Sequence, residues 1–146
     1  MASQAFRLRP AAEADFEPML ALSIRVMRPH LERIGRYDPD RRRARMRKQF
    51  DAGILNVIEA DGAMLGCVGI EQGGDAIEIH SLFLAPEAQG RGLGVAVFRA
   101  IQATHPGRAF AIEVLKESPA RRFWERLGFV VTGEQPFDWV LHRPAD

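Results

Sequence analysis

The sequence predicts a single-domain α/β (α+β) fold over residues 1–146, with a mixed, mostly antiparallel central sheet and helices on both faces. Three observations predict it. Apolar residues recur at helical spacing early in the chain, switch to strand-like runs at residue 54, and then alternate between the two patterns beyond residue 86. The tight turns "DG" and "GGD" join consecutive strands in the middle, which favours antiparallel neighbours. No internal repeat and no long linker divides the 146 residues, a length that supports one core without metal or disulfide.

"AFRLR" alternates apolar and basic residues and is stopped by Pro10, the pattern of a first strand. Two amino-terminal helices are expected within residues 12–52. In the first, Phe16, Met19, Leu20, Ile24 and Met27 form an amphipathic stripe, which Pro29 and Gly35 should break or bend. The second restarts behind Asp38, with Pro39 in its first turn and Gly53 after its end. "ILNVIEA", "AMLGCVGIEQ" and "AIEIHSLFLA" then read as three strands of a meander. "GVAVFRAIQAT" is helical until "HPG", and "AFAIEVL" is strand-like. "SPARRFWERLG" reads as a short helix with Ser118 as its cap and Pro119 at its first position, and "FVVTGE" and "FDWVLHR" close the chain as strands. Leu127 and Phe129 are expected in the core.

Composition narrows the function classes. A net charge of +1 gives no global pull on nucleic acid, which is not expected as a partner. The lone Cys67 sits in the apolar run "MLGCVGI", so it is expected as a small core side chain in a reducing compartment. No apolar stretch approaches the roughly 18 to 20 residues of a membrane span, and "MASQAFRLRP" lacks the apolar centre of a signal peptide, so a cytoplasmic location is expected.

The densest motif is "PEAQGRGLGVAVFRA", which puts Gly90, Gly92 and Gly94 into five positions at the mouth of a helix. Bare backbone there suits an anion, because the first N–H groups of a helix lack partners and the helix dipole is positive at that end. Spacing excludes two phosphate loops. A Walker-type loop needs Lys and then Ser or Thr after its last glycine, where this chain has Val95 and Ala96. A GxGxxG fingerprint begun at Gly90 or Gly92 needs glycine at Val95 or Val97. What stands is QxxGxG, running from Gln89 to Gly94.

"FLAPEAQGRGLG" resembles the acetyl-CoA loop of the GNAT superfamily of N-acyltransferases, and "PARRFWERLGF" resembles that superfamily's second signature. The order of elements matches as well. The resemblance implies acetyl-CoA as cosubstrate and no metal, with Gln89, Gly90, Arg91, Gly92, Leu93 and Gly94 around the pyrophosphate. It also implies Phe83 and Leu84 as backbone partners of the pantetheine arm, in the manner of an added strand. Ser118 stands near a position where the family often has a CoA-contacting asparagine. Trp124 stands where many members have a tyrosine that protonates the CoA sulfur. An indole N–H can donate a hydrogen bond but is no proton source near neutral pH, so Trp124 is read either as a donor to the thiolate or as packing for the CoA channel.

Acetyl transfer to an amine requires removal of a proton from an ammonium of pKa about 10.4. Glu78 and His80, two apart on one strand, project to the same face and are the candidate bases, directly or through water. Glu78 takes the place of the glutamate base of the histone-acetyltransferase branch, while His80 has the more suitable ordinary pKa, about 6.5. A pair that merely faces solvent or meets basic side chains is the competing reading. In the family the acceptor meets the amino-terminal helices, where His30 and Tyr37 are candidate contacts and the arginines of "RRRARMRKQF" form a basic face, with Met46 and Phe50 turned inward. Were that face to select substrate, acceptors with a carboxylate or phosphate would follow.

The expected function is therefore acetyl-CoA-dependent N-acetyl transfer to a small-molecule or peptide primary amine, by direct attack in a ternary complex, in a monomer or homodimer. The alternative is a non-catalytic acyl-CoA sensor or interaction module of the same fold.

Overall fold

The computed structural model describes residues 5–146. The elements run β1 (Arg7–Pro10), α1 (Phe16–Arg33), α2 (Pro39–Asp51), β2 (Leu55–Ala60), β3 (Ala63–Gln72), β4 (Ala76–Leu84), α3 (Leu93–Thr104), β5 (Ala109–Leu115), α4 (Ala120–Arg126), β6 (Val130–Glu134) and β7 (Asp138–Arg143), with single 3-10 turns at Glu13–Asp15 and Pro86–Ala88. The strands form a seven-stranded sheet in the order β1-β2-β3-β4-β5-β7-β6. β4 and β5 run parallel, as the crossover through α3 requires, whereas β1–β2, β2–β3, β5–β7 and β6–β7 are antiparallel. The element order and the mostly antiparallel sheet are those read from the sequence.

The chain forms two compact units. One extends to Gly69 and includes Ser81–Gly94, and the other comprises Ile70–His80 and Val95–Asp146. In the first unit Met19, Leu20, Met46, Val57, Ile58, Cys67 and Val68 are buried. Cys67 is a core side chain, and burial pushes its thiol pKa up to about 12. Arg9 ties β1 to its surroundings, with its Nε 2.8 Å from Glu59 and its terminal nitrogens 2.8 and 3.0 Å from the two oxygens of Asp15. In the second unit Phe98, Phe110, Trp124 and Phe129 meet edge to face around one centre, with ring centroids 5.1 to 5.7 Å apart. Leu127 and Phe129 are buried here as expected.

Four local expectations are corrected. Pro29 does not break α1, which continues through it to Arg33. The stop is at Gly35, whose φ of 70° lets its N–H reach the Glu32 carbonyl while the Arg36 N–H reaches Leu31, so two terminal carbonyls are satisfied. β1 extends through Pro10, because a proline without N–H is tolerated on an edge strand. Ser118 is not the cap of α4. The cap position is Pro119, one residue later than expected, although the Ser118 hydroxyl still accepts from the Ala120 N–H at 3.3 Å. Phe50 is only half-buried, its ring edge-on to Phe16 with centroids 5.9 Å apart, whereas Met46 is fully inside. Asp38 caps α2 as expected, accepting from the N–H groups of Asp40 and Arg41.

Candidate functional site

The loop after β4 lies in the first unit. Gly90 and Gly92 have φ of 75° and 76°, and a Cβ placed on either would meet nothing within 4 Å. Both therefore need glycine for their backbone conformation and both leave the backbone open to an approaching group. Leu93, buried, begins α3, Gly94 is its second residue, and Arg91 is exposed beside them. A short open stretch of backbone leading into a helix start fits a pyrophosphate. Gln89 ties the loop to the strand, its Nε2 donating to the Leu84 carbonyl at 3.0 Å.

Ahead of the loop, the backbone of β4 has two sides. The Ala85 N–H donates to the Leu65 carbonyl at 2.8 Å, and the Phe83 carbonyl lies 2.2 Å from where a Cβ of Gly66 would stand, so Phe83 is directed at β3. By strand alternation Leu84 is directed the other way, where its carbonyl meets Gln89. Within the strand Ser81 holds a φ of 59°, a conformation rare outside glycine and asparagine.

Of the two candidate acceptor contacts, His30 has its Nδ1 3.3 Å from Arg33, and partial burial with the Arg33 charge draws its pKa below the ordinary value. The Tyr37 ring lies under the Arg28 guanidinium, 4.8 Å from its centroid. On α2, Arg43 makes two hydrogen bonds to Glu17 and Arg47 two to Glu13. Arg42 differs: it is partly buried, its guanidinium lies 5.6 Å from the centroid of the Phe83 ring, and its Nε is closed off from solvent with no hydrogen-bond partner.

In the second unit the structure brings Glu78 and His80 together and adds a residue that the sequence reading missed. His80 Nε2 is 2.8 Å from Glu71 Oε1 and 3.5 Å from Glu78 Oε2. An ionised carboxylate only accepts, so the Glu71 contact puts hydrogen on Nε2 and leaves Nδ1 as the lone-pair nitrogen of the neutral ring. The His80 side chain is 24% exposed, against 49% for Glu71 and 53% for Glu78, so the imidazole is the sheltered member. The three groups offer ligand atoms within 4.8 Å of one another, a spacing a divalent cation could bridge. Glu71 sits just before the turn "GGD", and a one-residue slip in that hairpin would present Ile70 instead, which is why spacing alone could not find it.

Ser118 and Trp124 also lie in this unit. The Ser118 hydroxyl donates to the Leu115 carbonyl at 2.9 Å and accepts from Ala120, a local closure of the β5–α4 turn. Trp124 is 3% exposed and packs edge to face against Phe98, Phe123 and Phe129. Among the described residues no helix is long and apolar enough to cross a membrane.

Comparison with known proteins agrees with this fold. Among solved structures, a GNAT-family acetyltransferase from Streptococcus agalactiae is similar over 100% of this chain and 99% of its own, with a TM-score of 0.79 at 14% identity. The PaiA N-acetyltransferase from Thermoplasma acidophilum, solved in complex with coenzyme A, is similar over 97% and 99%, with a TM-score of 0.73 at 15% identity. At such identities the likeness is one of fold. Among characterised relatives, the 5-NmdU N-acetyltransferase of Pseudomonas phage PaMx11 is 35% identical over 58% of this chain and 63% of its own length. The peptidyl-lysine N-acetyltransferase YiaC of Escherichia coli is 38% identical over 54% of each. The matched segment thus spans less than two thirds of those relatives. The family model for the acetyltransferase (GNAT) domain matches residues 51–131, more than half of the chain and including both the glycine loop and the cluster around His80, and the chain belongs to the GNAT acetyltransferase family.

Proposed function

We propose that this chain is an acetyl-CoA-dependent N-acetyltransferase, that residues 1–146 act as one such domain, and that a primary amine attacks directly in a ternary complex. The observation that carries the reading is the loop from Gln89 to Gly94, with two positive-φ glycines open in front of the backbone at the start of α3. Acetyl-CoA, when bound, supplies the thioester carbonyl that the amine attacks. The loop N–H groups and Arg91 hold the pyrophosphate. Leu84, directed away from β3, is better placed than Phe83 to pair with a pantetheine arm. The β4–β5 pairing supports this, since its register covers only Ala76–Ile79 while β4 continues to Leu84.

His80 is the base in this reading. Its Nδ1 takes the proton of the amine, and Glu71 and Glu78, both close to Nε2, stabilise the imidazolium that forms. Both characterised relatives carry N-acetyl transfer in their names, which supports the reaction class.

The test is free-thiol release from acetyl-CoA across a panel of amines. Cys67, fully buried and with its pKa pushed up to about 12, adds no background to the thiol signal while the protein is folded. Amine-dependent thiol release supports the proposal. Tight acetyl-CoA binding without turnover on any amine points to the sensor alternative instead.

A further inference from the structure

α2 carries five arginines, and the structure separates one from the rest. Arg41 lies 3.9 Å from Asp38, Arg43 pairs with Glu17, and Arg47 pairs with Glu13 and Asp51. Among the described residues neither Arg42 nor the exposed Arg45 has a carboxylate partner, but Arg42 alone on this helix has its Nε buried without a hydrogen bond. Burial, reinforced by the charge of Arg45, draws its pKa down from the ordinary arginine value. A partly buried, unpaired guanidinium opposes folding, and a buried donor without an acceptor is uncommon enough to need a cause.

The surroundings say what the cause is. The Arg42 guanidinium rests against the ring of Phe83, 5.6 Å from its centroid. The ring covers one side of the cation, and the two terminal nitrogens, unlike Nε, are not closed off from solvent, so their N–H groups can donate to a carboxylate or phosphate. Phe83 precedes Leu84 in β4, and Leu84 is bound through Gln89 to the glycine loop, so Arg42 rests against a residue of the strand that leads into the cofactor loop. The pantetheine arm proposed to follow that strand is uncharged, the pyrophosphate of CoA has the loop, and the ribose 3′-phosphate lies beyond the pyrophosphate, at the far end of the cofactor from that arm. The missing anion is then best supplied by the other substrate.

We propose that Arg42 is a specificity-determining residue that receives an oxyanion, carboxylate or phosphate, carried by the amine acceptor. The inference rests on the N-acetyltransferase reading and narrows its acceptor to amines that bear such a group.

Matched amines test it: β-alanine against β-alaninamide for the carboxylate, and O-phosphoethanolamine against ethanolamine for the phosphate. In the wild-type chain kcat/KM is expected to favour the anionic member of at least one pair by about tenfold or more, and the favoured pair identifies the oxyanion. In Arg42→Met that preference is expected to collapse to near unity, and Arg42→Lys should keep part of it. The ratio is taken within one preparation, so it does not depend on how much of a variant is folded. A wild-type preference for the neutral amines, or an unchanged ratio in Arg42→Met, overturns the proposal. A second arm needs no turnover. With the loop saturated by CoA, succinate or inorganic phosphate should raise the melting temperature of the wild-type chain saturably but not that of Arg42→Met. If no amine is acetylated yet this anion effect appears, Arg42 remains an anion site and the acetyltransferase reading fails. If neither anion stabilises the wild-type chain more than the variant, the anion site is overturned.

Discussion

Glu71 holds His80: a carboxylate oxygen of the first lies 2.8 Å from Nε2 of the second, which fixes the imidazole as an Nε2 donor and leaves Nδ1 as its basic nitrogen. Two adjacent strands thus set the tautomer of one ring. His80→Gln is expected to lower kcat by about 10² or more, the usual worth of a general base, while leaving the affinity for acetyl-CoA in place. Glu71→Gln and Glu78→Gln should have smaller effects, because each removes only one of two charges facing the imidazolium. Single-turnover kinetics read the difference. A larger loss in Glu78→Gln than in His80→Gln transfers the base role to Glu78.

The loop glycines make a separate prediction. Gly90 and Gly92 have positive φ with open space around a notional Cβ, so alanine there is strained by its backbone and by nothing else. The left-handed conformation costs an L-residue about 1 to 2 kcal/mol, and in an exposed loop that strain is relieved by leaving the binding conformation. Each alanine variant should therefore bind acetyl-CoA about fivefold to thirtyfold more weakly by titration calorimetry, with the melting temperature little changed. Wild-type affinity in both variants would show that the loop's conformation does not serve binding.

Stability should depend on acid through Arg9. Its hydrogen bonds, with the Ala12 N–H, hold the Asp15 carboxyl below the ordinary range, and Arg9 followed by Arg7 does the same for Glu59. Groups lowered in the folded state contribute stability that is fully present above their unfolded values, about 3.9 and 4.3, and is lost as pH falls through the lowered folded values. The melting temperature should thus decline below about pH 4.5, and less steeply in Arg9→Met. Glu13 and Glu17, lowered by Arg47 and Arg43, keep part of the decline in that variant. Parallel melting curves for the two proteins across this range would rule out the Arg9 network as its source.

Trp124 provides a test of packing against chemistry. Its indole is buried among Phe98, Phe123 and Phe129, so Trp124→Ala should cost about 3 to 5 kcal/mol in denaturant unfolding. Trp124→Phe should keep most of the stability and all of the affinity for CoA. A folded Trp124→Phe variant that loses CoA affinity would instead place the indole in the cofactor channel.

Much of the molecule is legible in its sequence. The order of strands and helices, the cap at Asp38, the stop at Gly35 and the glycine loop all depend on local physics: side-chain periodicity, capping donors and backbone freedom, which act within a few residues. Where local rules competed, the sequence could not choose. Pro29 and Gly35 both read as helix breakers, yet the proline was carried through the helix and the glycine ended it with two carbonyl bonds.

What only the tertiary structure decided are pairings between residues far apart in the chain or across a turn of unknown register. The sequence by itself determined the family-like loop, the fold class and the candidate pair Glu78 and His80, because these lie within short stretches. Tertiary structure decided that Glu71 faces His80, since strand register sets which side chains share a face and one residue of slip reverses it. It also decided that Trp124 is core and that Arg42, one of five similar arginines on its helix, is the one whose Nε is buried without an acceptor, because burial and partners belong to the packed molecule and not to residue type.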